Sequence, residues 1–187
     1  MAPKKKAKKK VKAPARKRAS SARAPSGKQQ LIDTFSRESA KTLQLLRALP
    51  SGQSEMRPHE RSKSARELAW TFVIEQSLLT RALKEEPMFT GGGPPSAPAD
   101  FESIVRQFER DNTSVEQLIR SISDAKLSTT LKFPTGPGQM GDWTKTAFAW
   151  FIISDQIHHR GQFSVYLRMA GGKVPAIYGP SADEPWR

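Results

Sequence analysis

The 187-residue chain has no cysteine. That absence excludes disulfides, thiolate metal sites and a cysteine nucleophile, and it fits a reducing compartment. Long apolar runs are missing too. The longest, Ala147 to Ile153, is far too short to cross a bilayer. No apolar segment follows the N-terminal lysines, so no secretory signal is expected. Nor can an amphipathic transit helix form there, because Val11 is the one large apolar residue between Ala2 and Gln30. A cytoplasmic protein with no membrane segment is the expectation. Two catalytic signatures are also lacking. There is no Gly-x-Ser-x-Gly elbow, and Gly91-Gly92-Gly93 runs into Pro94-Pro95 instead of opening a helix as a phosphate loop would.

Acidic residues are absent from positions 1–28. That stretch holds 12 of the 31 basic residues, which leaves 19 against all 18 acids in the remainder. The net charge of +13 therefore belongs to the tail and the rest is close to neutral. Built of Lys, Ala, Pro, Arg and Ser, residues 1–28 have almost nothing to bury and repel themselves, so disorder is expected. The candidate phosphate-contacting residues are Lys4, Lys5, Lys6, Lys8, Lys9, Lys10, Lys12, Arg16, Lys17 and Arg18. Such a tail would touch DNA or RNA without sequence preference and with strong salt dependence, or simply stay solvated.

Beyond the tail, helical periodicity dominates. Gln29 to Leu49 reads as a first helix, closed by Pro50-Ser51-Gly52. His59, beside Pro58 in a polar connection, reads as an exposed loop residue. Ser64-Ala65-Arg66-Glu67 fits a capping box and opens a second helix, with Thr71 and Glu75 as polar intrusions in its apolar stripe. A long Pro/Gly loop, 85–98, follows. The third helix spans Asp100 to about Ala125, with a bend allowed in its polar middle, Glu109 to Ser114. Leu127 to Met140 suggests at most a small hairpin. The last helix runs from a cap at Asp142 to Ala170. Four amphipathic helices without a strand set give an all-α, four-helix bundle over residues 29–180, followed by an extension, 181–187.

The last helix carries the chemistry. Phe148, Ile152, Asp155, His159, Gln162 and Tyr166 recur at spacings of three and four and so share a face. That face places a carboxylate and an imidazole one turn apart, either as a satisfied core pair or as part of a site. Trp70, Trp143 and Trp150 read as core aromatics, and Trp186 as exposed.

The run Ile157-His158-His159-Arg160-Gly161-Gln162-Phe163-Ser164-Val165-Tyr166-Leu167-Arg168-Met169-Ala170-Gly171-Gly172-Lys173-Val174-Pro175 resembles the close of the DinB family of bacterial four-helix proteins (DinB/YfiT-like bundles). Arg66-Glu67-Leu68-Ala69-Trp70 resembles its other signature, and the likeness covers about residues 29–180. The resemblance implies a divalent metal held by three histidines, one on the second helix and an H-x-x-x-H pair on the last. Those positions fall on Thr71, Asp155 and His159, so only His159 keeps the family's residue, and His158 projects elsewhere. Glu75, one turn beyond Thr71, is the candidate replacement ligand. Zinc, nickel or manganese are the candidate ions, with the carboxylates leaning toward manganese. The family includes thiol-dependent transferases and many members of unknown activity. Two readings follow: a metal-binding protein with an altered histidine triad, or a non-enzymatic binding module that its tail tethers to a polyanion.

Overall fold

A computed structural model describes residues 25–89 and 91–186. The basic residues named above, Lys4 to Arg18, lie outside the described residues. The elements in order are α1 (Gly27–Arg47), α2 (Ala65–Lys84), α3 (Phe101–Ser121), α4 (Asp124–Leu127), β1 (Thr130–Gly136), β2 (Gln139–Thr144) and α5 (Lys145–Met169). Among the described residues no helix is long and apolar enough to cross a membrane.

The bundle is α1, α2, α3 and α5. One apolar cluster gathers the start of α1 (Leu31, Phe35), the ends of α2 (Leu79) and α3 (Val115, Ile119), and the start of α5 (Phe148, Ile152). A second cluster gathers the opposite ends: Leu45 and Leu46, Leu68 and Phe72, Ile104 and Phe108, Phe163 and Leu167. Helices α1 and α5 therefore run one way and α2 and α3 the other. Around the ring, α1 touches α3 and α5, and α2 touches α3 and α5. Phe35, Phe72, Phe108, Phe148 and Phe163 are fully buried, each contributing up to about 3 kcal/mol. An exposed pair such as Arg47–Glu109 (2.7 Å) adds roughly 0–1 kcal/mol, so the two clusters hold the bundle.

Between the clusters lies a polar layer at mid-height. It contains Glu38, Ser39 and Thr42 of α1, Glu75 and Gln76 of α2, Asn112 of α3, and Gln156, His159 and Arg160 of α5. Arg160 bridges α5 to α1 through Glu38 (2.7 Å), His159 bridges α5 to α2 through Glu75 (2.8 Å), and Gln76 bridges α2 to α3 through Asn112 (2.5 Å). Helix α3 is continuous from Phe101 to Ser121, through its polar middle, Glu109–Ser114.

Several boundaries differ from the sequence reading. Ser26 caps α1, so Lys28 is already helical, and its ammonium hydrogen-bonds the carbonyl of Arg120 (2.8 Å) and that of Ile122. The tail thus ends before Lys28. Helix α3 stops at Ser121, and the single turn α4 follows. Asp142 does not cap the last helix. It lies in β2, paired to Lys132 (2.8 Å), and Thr144 is the cap, accepting from the Ala147 amide (3.1 Å). The hairpin pairs Leu131 with Trp143 and Phe133 with Gly141, and it covers α5 with Phe133 against Phe148 at a centroid distance of 4.8 Å. The capping box at Ser64 forms as its sequence indicates.

After α5 the chain turns back at Gly171 (φ 76°) and passes over the end of α1. A Cβ on Gly172 would lie 3.1 Å from the Ala48 carbonyl oxygen and closer still to Leu167, so glycine is required there. Val174 and Ile177 then pack on the second cluster. Asp183 takes the Val174 amide (2.8 Å) and Arg168 (2.6 Å). Ser181, Asp183 and Glu184 are tied to the segment 174–176 and to the end of α5.

Candidate metal centre

Helices α2 and α5 cross in the polar layer, and their facing side chains form the one cluster of potential metal ligands among the described residues. Glu75, Asp155 and His159 each offer a donor atom, and these atoms lie within 4.8 Å of one another. Bonds of about 2.0–2.2 Å to a common ion bring donors to within about 4.4 Å of one another, so the three side chains would need only a small inward shift to share one. Glu75 comes from the middle of α2, and Asp155 and His159 stand one turn apart on α5.

His159 Nδ1 is 2.8 Å from Glu75 Oε1 but 3.9 Å from Asp155 Oδ1. The intrahelical Asp155–His159 core pair is therefore not the direct one. The imidazole's partner is across the helix interface, and Asp155, about one third exposed, stands at the rim. Phe72 closes the inner side, its ring edge-on to His159 at a centroid distance of 6.3 Å.

Burial pushes the Glu75 carboxyl up to about 7, against the lowering pull of His159. His159 is itself raised, first by its hydrogen bond to Glu75, against burial and the nearby Lys63. The pair thus holds its protons to higher pH than the free side chains do. Glu75 Oε2 is buried and has no hydrogen-bond partner among the described residues. An orphaned carboxylate oxygen is costly, and a cation beside it removes that cost, so the donor set fits a metal.

Thr71 sits one turn before Glu75, with its hydroxyl engaged: it donates to the Glu67 carbonyl (3.2 Å) and accepts from Lys63 Nζ (2.7 Å). His158 is exposed and hydrogen-bonds Gln162 (3.0 Å). Gln162 is exposed, and His59 lies in the exposed loop. Trp186 is exposed as well.

Three buried polar residues of α5 escape the sequence reading: Lys145 at the helix start, and Gln156 and Arg160 in its middle. The signal of Gln156 and Arg160 is present in the spacing, because Ile152, Gln156, Arg160, Phe163 and Leu167 repeat at fours and threes. The buried face is centred on these residues, and His159 and Asp155 flank it. Arg160 donates to the Glu38 carbonyl (2.9 Å), to the Glu38 carboxylate (2.7 Å) and to the Tyr178 hydroxyl. It locks α5 in rotation against α1, which sets the direction of its neighbour His159.

Comparison with known proteins agrees with this architecture. A DinB-like protein from Bacillus cereus ATCC 10987 superposes with a TM-score of 0.66 at 22% identity, covering 79% of this chain and 95% of that one. A DinB-like protein from Bacillus subtilis (YjoA) gives 0.63 at 19% identity, covering 78% and 96%. At such identities the likeness is one of fold. The uncharacterized protein YrdA of Bacillus subtilis (strain 168) is 56% identical over 34 residues, 18% of this chain and 20% of that protein. The match therefore spans only a fifth of that relative's length. The model of the DinB family matches residues 22–186, essentially everything from the basic tail onward. By that match, on top of the shared helix order, the chain belongs to the DinB family.

Proposed function

We propose that the protein binds one divalent metal ion through Glu75, Asp155 and His159, as a DinB-family member whose ligand set has moved from imidazole toward carboxylate. The observation that carries this reading is the buried, unpartnered Glu75 Oε2 inside a cluster of three donor atoms within 4.8 Å. Glu75 takes over the second-helix role in place of Thr71, whose hydroxyl is occupied by Lys63 and by its own helix. Three protein ligands leave positions open for water or substrate. A metal there would supply Lewis acidity, with Glu75 and His159 giving up their protons to hold it. With two hard oxygens and one imidazole, the site is displaced toward manganese relative to a three-histidine set, and zinc and nickel remain competitors.

Equilibrium dialysis of the full chain against manganese, zinc and nickel, followed by elemental analysis, tests the reading. About one ion per chain is expected, with Glu75→Gln and His159→Gln each lowering affinity by roughly tenfold or more. Retention unchanged in both variants, or no retention of any ion, counts against it.

The uneven charge supports a second, independent reading: the basic stretch that precedes α1 tethers the bundle to a polyanion such as DNA or RNA. A near-neutral remainder gives that contact no other obvious home.

A further inference from the structure

Helices α2 and α3 are parallel neighbours, so the chain must return the length of the bundle between them. The described residues of the returning segment, 85–89 and 91–100, are pinned at both ends. Arg81 holds the Pro87 carbonyl (2.9 Å) at one end. At the other, the Trp70 indole holds the Pro95 carbonyl (2.7 Å) and Arg66 the Ala97 carbonyl (2.8 Å). Between the pins, Gly91, Gly92 and Gly93 all take positive φ (75–86°) with open space around each, and Phe89 is drawn onto Phe133 of the hairpin (centroids 6.0 Å). The result is an arch over the outer face of α2, enclosing a groove of about 690 Å³.

That volume lies in the range of small-molecule sites, roughly 300–1,000 Å³. The α2 floor is mostly apolar, built from Val73, Ile74 and Leu78 with Ser77 and Thr80 between them, Trp70 at one end and Met88 on the arch. Glu86 and Arg81 stand at the Pro87 end, where Arg81 is spent on its carbonyl. On the α3 wall stands one half-buried carboxylate, Asp111. Its hydrogen bond is to the neutral amide of Gln107 (2.7 Å), and the nearest guanidinium, Arg110, is turned to Gln107 Oε1 (2.7 Å). Among the described residues no cation pairs with Asp111, and burial raises its carboxyl. A largely apolar groove whose one half-buried carboxylate, Asp111, makes no ion pair, with Glu86 exposed at the Pro87 end, is complementary to an apolar body carrying one positive charge.

We propose that the groove beneath the arch binds a hydrophobic amine, its hydrocarbon on Val73, Ile74 and Leu78 and its ammonium on Asp111. This site faces away from the α2–α5 interface and does not depend on the metal reading.

The test is calorimetric titration of the full chain with octylamine, 1-octanol and octanoate, three probes with one tail and different heads. Octylamine should bind roughly tenfold or more tighter than 1-octanol, the worth of one charge-assisted contact, and octanoate more weakly than either. Asp111→Asn should reduce octylamine to the level of 1-octanol and leave 1-octanol unchanged. Ile74→Trp, which fills the groove, should remove all three. Glu75→Gln should alter none. Equal affinity for amine and alcohol, an amine preference that survives Asp111→Asn, or no binding of any probe would overturn the proposal.

Discussion

Glu38 and Glu75 are buried in the same polar layer yet sit on opposite sides of the ordinary carboxylate range. Burial raises both, but Glu38 receives hydrogen bonds from Tyr178 and Arg160 that more than offset it, and its carboxyl ends below the ordinary value. Glu75 has only His159 and ends near 7. The consequences for stability have opposite signs. The stability Glu38 contributes is present above its ordinary value of 4.5 and is lost as pH falls. In the window from 4.5 to about 7, folded Glu75 keeps a proton the unfolded chain has released. Its contribution therefore declines as pH rises through that window, and raised His159 continues the trend above its ordinary 6.5. The metal-free protein should thus melt lower at about pH 8 than at about pH 6, and Glu75→Gln should flatten that slope. An unchanged slope in the variant would place the titration elsewhere. Removing Arg160 is the harsher change. Arg160→Met strands Glu38 in the core and should cost about 3–5 kcal/mol in chemical denaturation, whereas Tyr178→Phe removes one neutral donor and should cost about 1 kcal/mol.

At the scale of elements, the polar layer is where α1, α2, α3 and α5 depart from a fully apolar core. Ser39 Oγ, Gln76 Oε1 and Gln156 Nε2 are buried there without partners among the described residues. Gln156→Leu therefore exchanges an unsatisfied amide for packing and should raise the melting temperature, by about 1 kcal/mol of stability. A lower melting temperature would mean that the amide is satisfied in solution. The layer also shows what was legible beforehand. Helix order, the Ser64 capping box and the hairpin follow from local spacing, and the family resemblance brings Glu75, Asp155 and His159 forward. Which carboxylate meets His159 was not legible, because intrahelical spacing favours Asp155 while the 2.8 Å contact crosses to Glu75. The cap at Thr144 was masked by the nearer-looking Asp142, which strand pairing claims for Lys132. Arg160 and Gln156 had a helical signal, but polar residues in an apolar phase read more readily as surface.

For the molecule as a whole, the two proposed functions divide along the charge boundary. If the tail is the polyanion tether, replacing Lys4, Lys5, Lys6, Lys8, Lys9, Lys10 and Lys12 with Gln should remove most duplex DNA binding. It should also flatten the salt dependence, whose log–log slope is about −0.9 per phosphate contacted. The melting temperature should hardly move, since the described bundle starts its first helix at Gly27. Binding that persists in that variant would assign the contact to the bundle. The role proposed for the bundle rests on the α2–α5 cluster, where a metal would have to displace the protons shared by Glu75 and His159. Titrating manganese or zinc into chelator-stripped protein in weakly buffered solution at about pH 6.5, with an indicator dye, reads that displacement directly. About one proton or more released per ion bound, and clearly less from Glu75→Gln at the same ion concentrations, is the predicted result. Saturable binding with no proton release, or identical release from Glu75→Gln, would show that the metal sits somewhere other than on Glu75, Asp155 and His159.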